Sequence, residues 1–366
     1  MTGIITRFRD CLPLSSDAPS LSLGEGGTPL LPLLRVPEGF EIYVKVEGAN
    51  PTGSFKDRGM VVATADAVSR GVRYLICAST GNTSASAAAY SAHAGLPCVV
   101  LIPKGKVAAG KIAQAVAHGA HIVQIDGNFD DAMSAVKLFS DEGEAAVVNS
   151  INPYRLQGQK TAALEVIESF TPDYHALPVG NAGNITAHWI GYCEAAGEGT
   201  KACSFCGGKC DYCTESKTKS RPKMLGYQAE KSAPFITGAP IVNPETVATA
   251  IRIGNPQSYE AAKTVVAESG GWIHALSDND ILSMQRHLAS REGVFCEPAS
   301  AASVAGVFAD IAAGKLKPPA RIVCTLTGHG LKDPDIVGEP KVKVASADTD
   351  SMRRTVESIV KEMSAQ

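Results

Sequence analysis

Along this chain, short apolar runs alternate with longer stretches of helical period. Residues 41–47 alternate apolar and polar positions, as a half-buried strand does, and apolar runs at 74–78, 98–102, 120–125 and 146–149 read as strands. Helical stretches separate them: an Ala/Ser-rich one at 83–94 ended by Gly95, one at 108–118 closed by Gly119, then 128–142 and 157–170. The second half repeats the rhythm, with strands at 176–179, 224–227 and 321–326. Its helices start at Ile185, near Tyr259 and Asp278, and after Pro298. Residues 1–40, rich in Pro, Gly and Ser, predict an irregular arm. The tail beyond Pro334 is polar, with a last helical stretch from Ser351. Short strands separated by helices predict an α/β protein with open, twisted, mostly parallel sheets and helices on both faces.

A chain of 366 residues has room for two domains, each with its own core. Charged residues make up 19% and the net charge is -3, which leaves no electrostatic footprint for nucleic acid or an anionic membrane. Apolar runs such as 99–102 are too short to span a bilayer, and the opening Met1-Thr-Gly-Ile-Ile-Thr-Arg-Phe-Arg lacks an apolar signal core. The expectation is a cytoplasmic protein acting on a small molecule, with no nucleic-acid or membrane partner. Cys11, Cys77, Cys98, Cys193, Cys296 and Cys324 are scattered, several in apolar surroundings, as reduced core cysteines are.

The chemistry starts where the strand at 41–47 meets a Gly-, Asn- and Pro-rich turn and a helix begins with Lys56 in its first turn. The positive end of the helix macrodipole disfavours a charged amine there, and burial would lower its pKa further. A neutral amine is what Schiff-base chemistry needs. Alone, such a lysine reads as a solvated one. The wording around it does not: Asn50-Pro-Thr-Gly-Ser-Phe-Lys56-Asp-Arg-Gly-Met60 closely resembles the cofactor-lysine segment of the β-family (fold type II) pyridoxal-phosphate enzymes. Its Phe-Lys-Asp-Arg-Gly-Met version is similar to that of the threonine synthases.

The resemblance implies a small lobe, 56–150, inserted into a large lobe made of 1–55 and 151–366, with pyridoxal 5'-phosphate in the cleft between them and a homodimer as the assembly. Lys56 would carry the cofactor and Phe55 would flank it. Gly24-Glu-Gly-Gly-Thr-Pro-Leu30 resembles the short loop before the family's first strands. Gly180-Asn181-Ala182-Gly183-Asn184 follows a strand and opens a helix, the form of a backbone cradle for phosphate. By itself it is a tight loop, but it stands where the family has its phosphate loop.

Ser79-Thr80-Gly81-Asn82-Thr83-Ser84 offers N–H groups and hydroxyls at a second strand–turn–helix junction. Those residue types would also form an ordinary N-cap cluster. In the family Ser79, Thr80, Gly81 and Thr83 would receive the substrate carboxylate and Asn82 the cofactor's phenolic oxygen. Asn149-Ser150-Ile-Asn-Pro-Tyr-Arg155 resembles the segment that grips a substrate phosphate through Ser150 and Arg155, the guanidinium giving a planar fork. An isolated Arg155 reads as a surface residue. Thr327, in Thr325-Leu-Thr327-Gly-His-Gly, matches the hydroxyl set against the pyridine nitrogen, which tempers the ring as an electron sink. His329 receives no role.

Gly105-Lys-Val-Ala-Ala-Gly-Lys111 imitates the start of a P-loop, but Ile112 stands where magnesium needs a hydroxyl, which argues against an NTPase. No dinucleotide fingerprint follows a predicted strand. Within a polar insertion at 197–222, Cys203, Cys206, Cys210 and Cys213 form two Cys-x-x-Cys pairs that suit one tetrahedral zinc. Their separation is shorter than in a zinc ribbon, and an iron–sulfur cluster or a disulfide pair stays open. The resemblance implies conversion of O-phospho-L-homoserine and water to L-threonine and phosphate. A relative acting on phosphoserine is the alternative, and a metal or redox sensor built on this scaffold is the reading from another class.

Overall fold

The computed structural model describes residues 3–104, 109–127, 129–139, 143–197, 216–333 and 351–364. After a short helix α1 (Ile4–Arg7) come β1 (Leu30–Pro32) and β2 (Phe40–Val46). Helix α2 (Lys56–Ser69) leads into β3 (Tyr74–Ala78), α3 (Asn82–His93), β4 (Cys98–Pro103), α4 (Ala109–Ala117), β5 (His121–Ile125), α5 (Phe129–Leu138) and β6 (Ala145–Val147). Then follow α6 (Pro153–Ser169), β7 (Tyr174–Pro178), α7 (Gly183–Ala196), β8 (Lys223–Ala229), the short α8 (Pro234–Thr237) and α9 (Tyr259–Ser269). Strand β9 (Trp272–Leu276), α10 (Asp278–Arg291), α11 (Pro298–Ala312) and β10 (Ala320–Leu326) complete the unit Met1–Asp333. Helix α12 (Met352–Ser364) belongs to a second unit, Pro334–Gln366. No helix among the described residues is long and apolar enough to cross a membrane.

The strands of the first unit form two sheets. One has the order β1-β2-β10-β7-β8-β9 and is parallel except for β1; the other, β5-β4-β3-β6, is parallel throughout. This is the expected α/β architecture, with helices flanking the sheets. Burial follows the sequence pattern: Phe40, Ile42 and Val44 face the core while Glu41 is exposed.

Three places differ from the sequence reading. The N-terminal arm is not wholly irregular: Ile4, Ile5, Phe8 and Leu12 are buried in the core that Met60, Val61 and Leu164 share. Its apolar residues are too few and too local to show a period. Strand β9 carries no clear alternation because, as the sheet's outer strand, most of its residues are only partly buried. Helix α6 starts at Pro153, ahead of position 157, because the Asn152 side chain accepts the Tyr154 N–H at 3.0 Å and proline suits the first helical position. Arg155 therefore lies in the first turn of a helix.

Candidate active site

Strands β2 and β10 run side by side, with Lys45 opposite Thr325 and Val46 opposite Leu326, so both chains leave the sheet at one edge. The segment after β2 folds back along the segment after β10. The Phe55 N–H donates to the Thr327 carbonyl (2.9 Å), the His329 N–H donates to the Gly53 carbonyl (2.9 Å), and Ser54 bridges Gly328. Those bonds seat Lys56 beside Thr327 at the carboxyl ends of parallel strands, where ligands of open α/β sheets bind.

Lys56 is half-buried, and its Nζ lies 4.5 Å from the centre of the Phe55 ring. Burial, followed by the charge of Arg155, holds its pKa down to about 7, against the pull of Glu297. A large share of this amine is therefore neutral near pH 7, as a nucleophile for a carbonyl must be.

The next two residues build the floor. Asp57 accepts the Thr52 N–H (2.7 Å) and the hydroxyls of Thr52 (2.5 Å) and Ser86 (2.6 Å), which fixes the turn before α2. Burial raises its pKa, and those hydrogen bonds oppose the rise. Arg58 forks onto Glu47 (2.7 and 2.8 Å) and onto Glu165 (2.8 and 2.7 Å), and Lys45 adds a 2.7 Å pair to Glu165. Two cations thus face two carboxylates in the interior, and β2, α2 and α6 are tied together.

Arg155 is fully buried. One nitrogen, Nη1, donates to the Val148 carbonyl at 2.5 Å, while Nε and Nη2 have no partner. Burial lowers its pKa to about 10, which still leaves it charged at neutral pH. A buried cation with two idle N–H groups is a site built for an anion. The loop 180–184 behaves similarly. Ala182 takes a left-handed φ of 64°, an uncommon conformation for alanine, and α7 starts at Gly183 with first-turn N–H groups lacking helical acceptors. Asn184 is buried with both side-chain polar atoms unpartnered. The loop sits on the first turn of α6, since a Cβ on Gly183 would lie 3.4 Å from Leu156 Cδ2.

Asn82 opens α3, and its amide donates to Glu297 Oε2 at 3.1 Å; Thr327 donates its hydroxyl to Glu297 Oε1 at 3.2 Å. Glu297 therefore joins two residues that the family resemblance assigns to one cofactor ring, Asn82 to its phenolic oxygen and Thr327 to its nitrogen. Sequence reasoning missed it, because a glutamate before the proline that starts α11 reads as an ordinary helix entrance. The signal was there in Cys296-Glu-Pro-Ala-Ser300: an acid leading into a helix with almost no polar face.

Ser79, Thr80, Gly81 and Thr83 all lie partly exposed at the junction of β3 and α3, with Ser79 Oγ accepting the Gly81 N–H at 3.2 Å. Ser150 is partly exposed beyond β6, next to Asn149, whose amide pairs with both backbone groups of Ala78 (3.0 and 2.9 Å). The structure brings Lys56, Phe55, Asn82 and Thr327 into one constellation, with Arg155 acting on Lys56. Among the described residues, no hydrogen bond ties Ser150 to it. Cys203, Cys206, Cys210 and Cys213 lie outside the described residues.

A readily neutralised lysine, a loop with orphaned polar atoms and a buried arginine with idle N–H groups suit chemistry on a phosphorylated carbonyl compound. The model of the pyridoxal-phosphate dependent enzyme family matches residues 21–328. The chain is 49% identical over 353 residues, covering 95% of both chains, to a threonine synthase of Bacillus sp. (strain ULM1). It is 51% identical to that of Mycobacterium tuberculosis (strain ATCC 25618 / H37Rv), over 91% of this chain and 89% of the other. Cysteine synthase from Entamoeba histolytica has a similar fold, with a TM-score of 0.68 at 20% identity, covering 92% of this chain and 96% of that one. The chain belongs to the pyridoxal-phosphate dependent enzymes and, within them, to the threonine synthase family.

Proposed function

We propose that the protein converts O-phospho-L-homoserine and water to L-threonine and inorganic phosphate. The observation that carries this reading is Arg155: a fully buried guanidinium with two unpartnered N–H directions, close enough to Lys56 to lower its pKa. An enzyme with no phosphate to hold has little use for such a group, because an uncompensated buried cation is costly.

In this reading Lys56 Nζ holds the cofactor aldehyde, and the 180–184 loop with the Asn184 amide takes its phosphate. The cofactor, when bound, supplies an electron sink for the carbons next to the substrate amine. The Nζ of Lys56, once free, would take protons from the α and then the β carbon and deliver protons to the γ and α carbons. Arg155, with Ser150, binds the leaving phosphate as the bond from the γ carbon to oxygen breaks and the oxygen departs with the electron pair. Water would then bond through its oxygen to the β carbon and give its remaining proton to the departed phosphate, while the protons taken from the α and β carbons return to the γ and α carbons. Ser79, Thr80, Gly81 and Thr83 orient the substrate carboxylate. We assign the four-stranded sheet to a small lobe, 56–150, set into the larger one.

Similarity to its family supports a homodimer, and the composition supports a cytoplasmic enzyme. For the insertion, the spacing of Cys203, Cys206, Cys210 and Cys213 supports a structural zinc, with an iron–sulfur cluster as the other metal reading; elemental analysis of protein purified without oxygen separates them. The activity itself is tested by offering purified, cofactor-loaded protein phosphohomoserine or phosphoserine and measuring phosphate release and the amino-acid product. Threonine from phosphohomoserine is the expected result. Turnover of phosphoserine alone would overturn the assignment.

A further inference from the structure

The carboxyl group of Glu297 stands between two donors that come from different parts of the fold. Asn82 reaches it from the first turn of α3, and Thr327 from the end of β10. Its place is set by the backbone: the Glu297 N–H donates to the Gly328 carbonyl at 3.0 Å, and a Cβ on Gly328 would stand 2.6 Å from the carboxyl carbon. Only glycine at 328 leaves room for the acid. The side chain is 3% exposed, so bulk water does not compete for either donor.

A hydroxyl has one hydrogen and two lone pairs, so its partners decide each other's roles. While Glu297 is ionised it can only accept, and it takes the Thr327 hydrogen; Thr327 then has only lone pairs to show any other partner. When Glu297 carries a proton on Oε1 it can donate to Thr327, and the Thr327 hydrogen is released. Ser300 permits either state. Its Oγ lies 2.9 Å from Thr327 Oγ1, accepts the Gly328 N–H at 2.9 Å, and can turn its own hydrogen to the Gly328 carbonyl at 3.3 Å.

We propose that Glu297 is a positioning residue that sets the direction of the Thr327 hydroxyl hydrogen, and so decides whether the cofactor's ring nitrogen meets a donor or an acceptor. The proposal rests on the assignment of Thr327 and Asn82 to the cofactor ring made above. Asn82 does not lose its own role, because its amide has a second N–H to give. The proton on Glu297 responds to its surroundings: burial raises its pKa, and the bonds from Asn82 and Thr327 oppose that rise. The other titratable groups that act on it or feel it are Lys332 and Asp333 beyond β10, Lys56 on α2 and the neighbouring Cys296. With the hydrogen released toward it, the ring nitrogen is held unprotonated; with only a lone pair offered, it must carry a proton to bond at all.

The test is a pH titration of the absorbance and fluorescence of the bound cofactor in the loaded enzyme. The parent should show a transition that E297Q lacks, since an amide cannot ionise. In E297Q, kcat should fall by about tenfold, the rate equivalent of one hydrogen bond, while KM for the substrate stays unchanged, because the altered bond is to the ring. Thr327→Ser should keep the transition and Thr327→Val should lose it, which keeps the question answerable if E297Q does not fold. A parent spectrum flat in pH, or a transition unchanged in E297Q or in Thr327→Val, overturns the proposal. Failure of the underlying reading appears in the parent alone, as a borohydride-fixed label on a lysine other than Lys56; failure at Glu297 leaves the label on Lys56.

Discussion

Gly158 of α6 lies against Arg58 of α2 so closely that a Cβ built on it would stand 2.0 Å from the Arg58 carbonyl oxygen. The contact is mutual, since a Cβ on Gly59 would stand 2.6 Å from the Arg155 carbonyl oxygen. Two glycines let α2 and α6 touch backbone to backbone, and this brings the turn that carries Lys56 onto the turn that carries Arg155. In an exposed helix Gly→Ala gains about 1 kcal/mol. Here Gly158→Ala should instead destabilise, by roughly 1–3 kcal/mol through overpacking, and weaken cofactor binding. Thermal unfolding checks the sign: an unchanged or higher midpoint would show that the helices can part freely.

Arg58 holds two buried carboxylates at once, so its removal leaves both Glu47 and Glu165 with too little compensation. Arg58→Met should cost about 3–5 kcal/mol, the range for breaking a buried pair from one side. Denaturant unfolding at neutral pH reads this directly. A loss of less than 1 kcal/mol would mean that water reaches the carboxylates.

The same network sets an acid limit. Burial would raise the pKa of Glu165, but Arg58 and Lys45 bring it down to about 2, below the ordinary 4.5. A carboxylate depressed in the folded state contributes stability above its unfolded pKa and loses it as pH falls through the folded value. Between pH 4.5 and 2 the parent should therefore lose stability that Glu165→Gln, already weaker at neutral pH, has none of to lose. Parallel slopes for the two proteins across that window would remove Glu165 from the account.

The sheets and the lysine segment were legible because they depend on local pattern: apolar runs of strand length, glycines closing helices, and a motif compressed into a few residues from Asn50 to Met60. Arg58 and Asp57 sit inside that motif, yet their work shows only in space. The partners of Arg58 are Glu47 and Glu165, the latter far along the chain on α6. Glu297 was hidden for the same reason: its meaning comes from Asn82 and Thr327, which the sequence keeps far apart. The arm at Ile4 and Ile5 failed differently, since a single turn of helix carries too few residues to display a period.

Lys56 gives a prediction whose sign can be worked in two directions. Its pKa of about 7 results first from burial and then from the charge of Arg155, with Glu297 acting the other way. Only the neutral amine attacks an aldehyde, so the rate at which cofactor-free protein takes up pyridoxal 5'-phosphate should rise as pH increases through about 7 and level off above it. Arg155→Ala removes a repelling cation and admits water, both of which favour the charged amine, so the midpoint should move up. Glu297→Gln removes an attracting carboxylate, and the midpoint should move down. Arg155→Ala should also lose charge-assisted bonds to the substrate phosphate, lowering kcat/KM on the order of a hundredfold or more. Stopped-flow absorbance of the bound cofactor follows uptake across pH in all three proteins. Shifts of the same sign in both variants would mean that solvent entry, and not the two charges, governs Lys56.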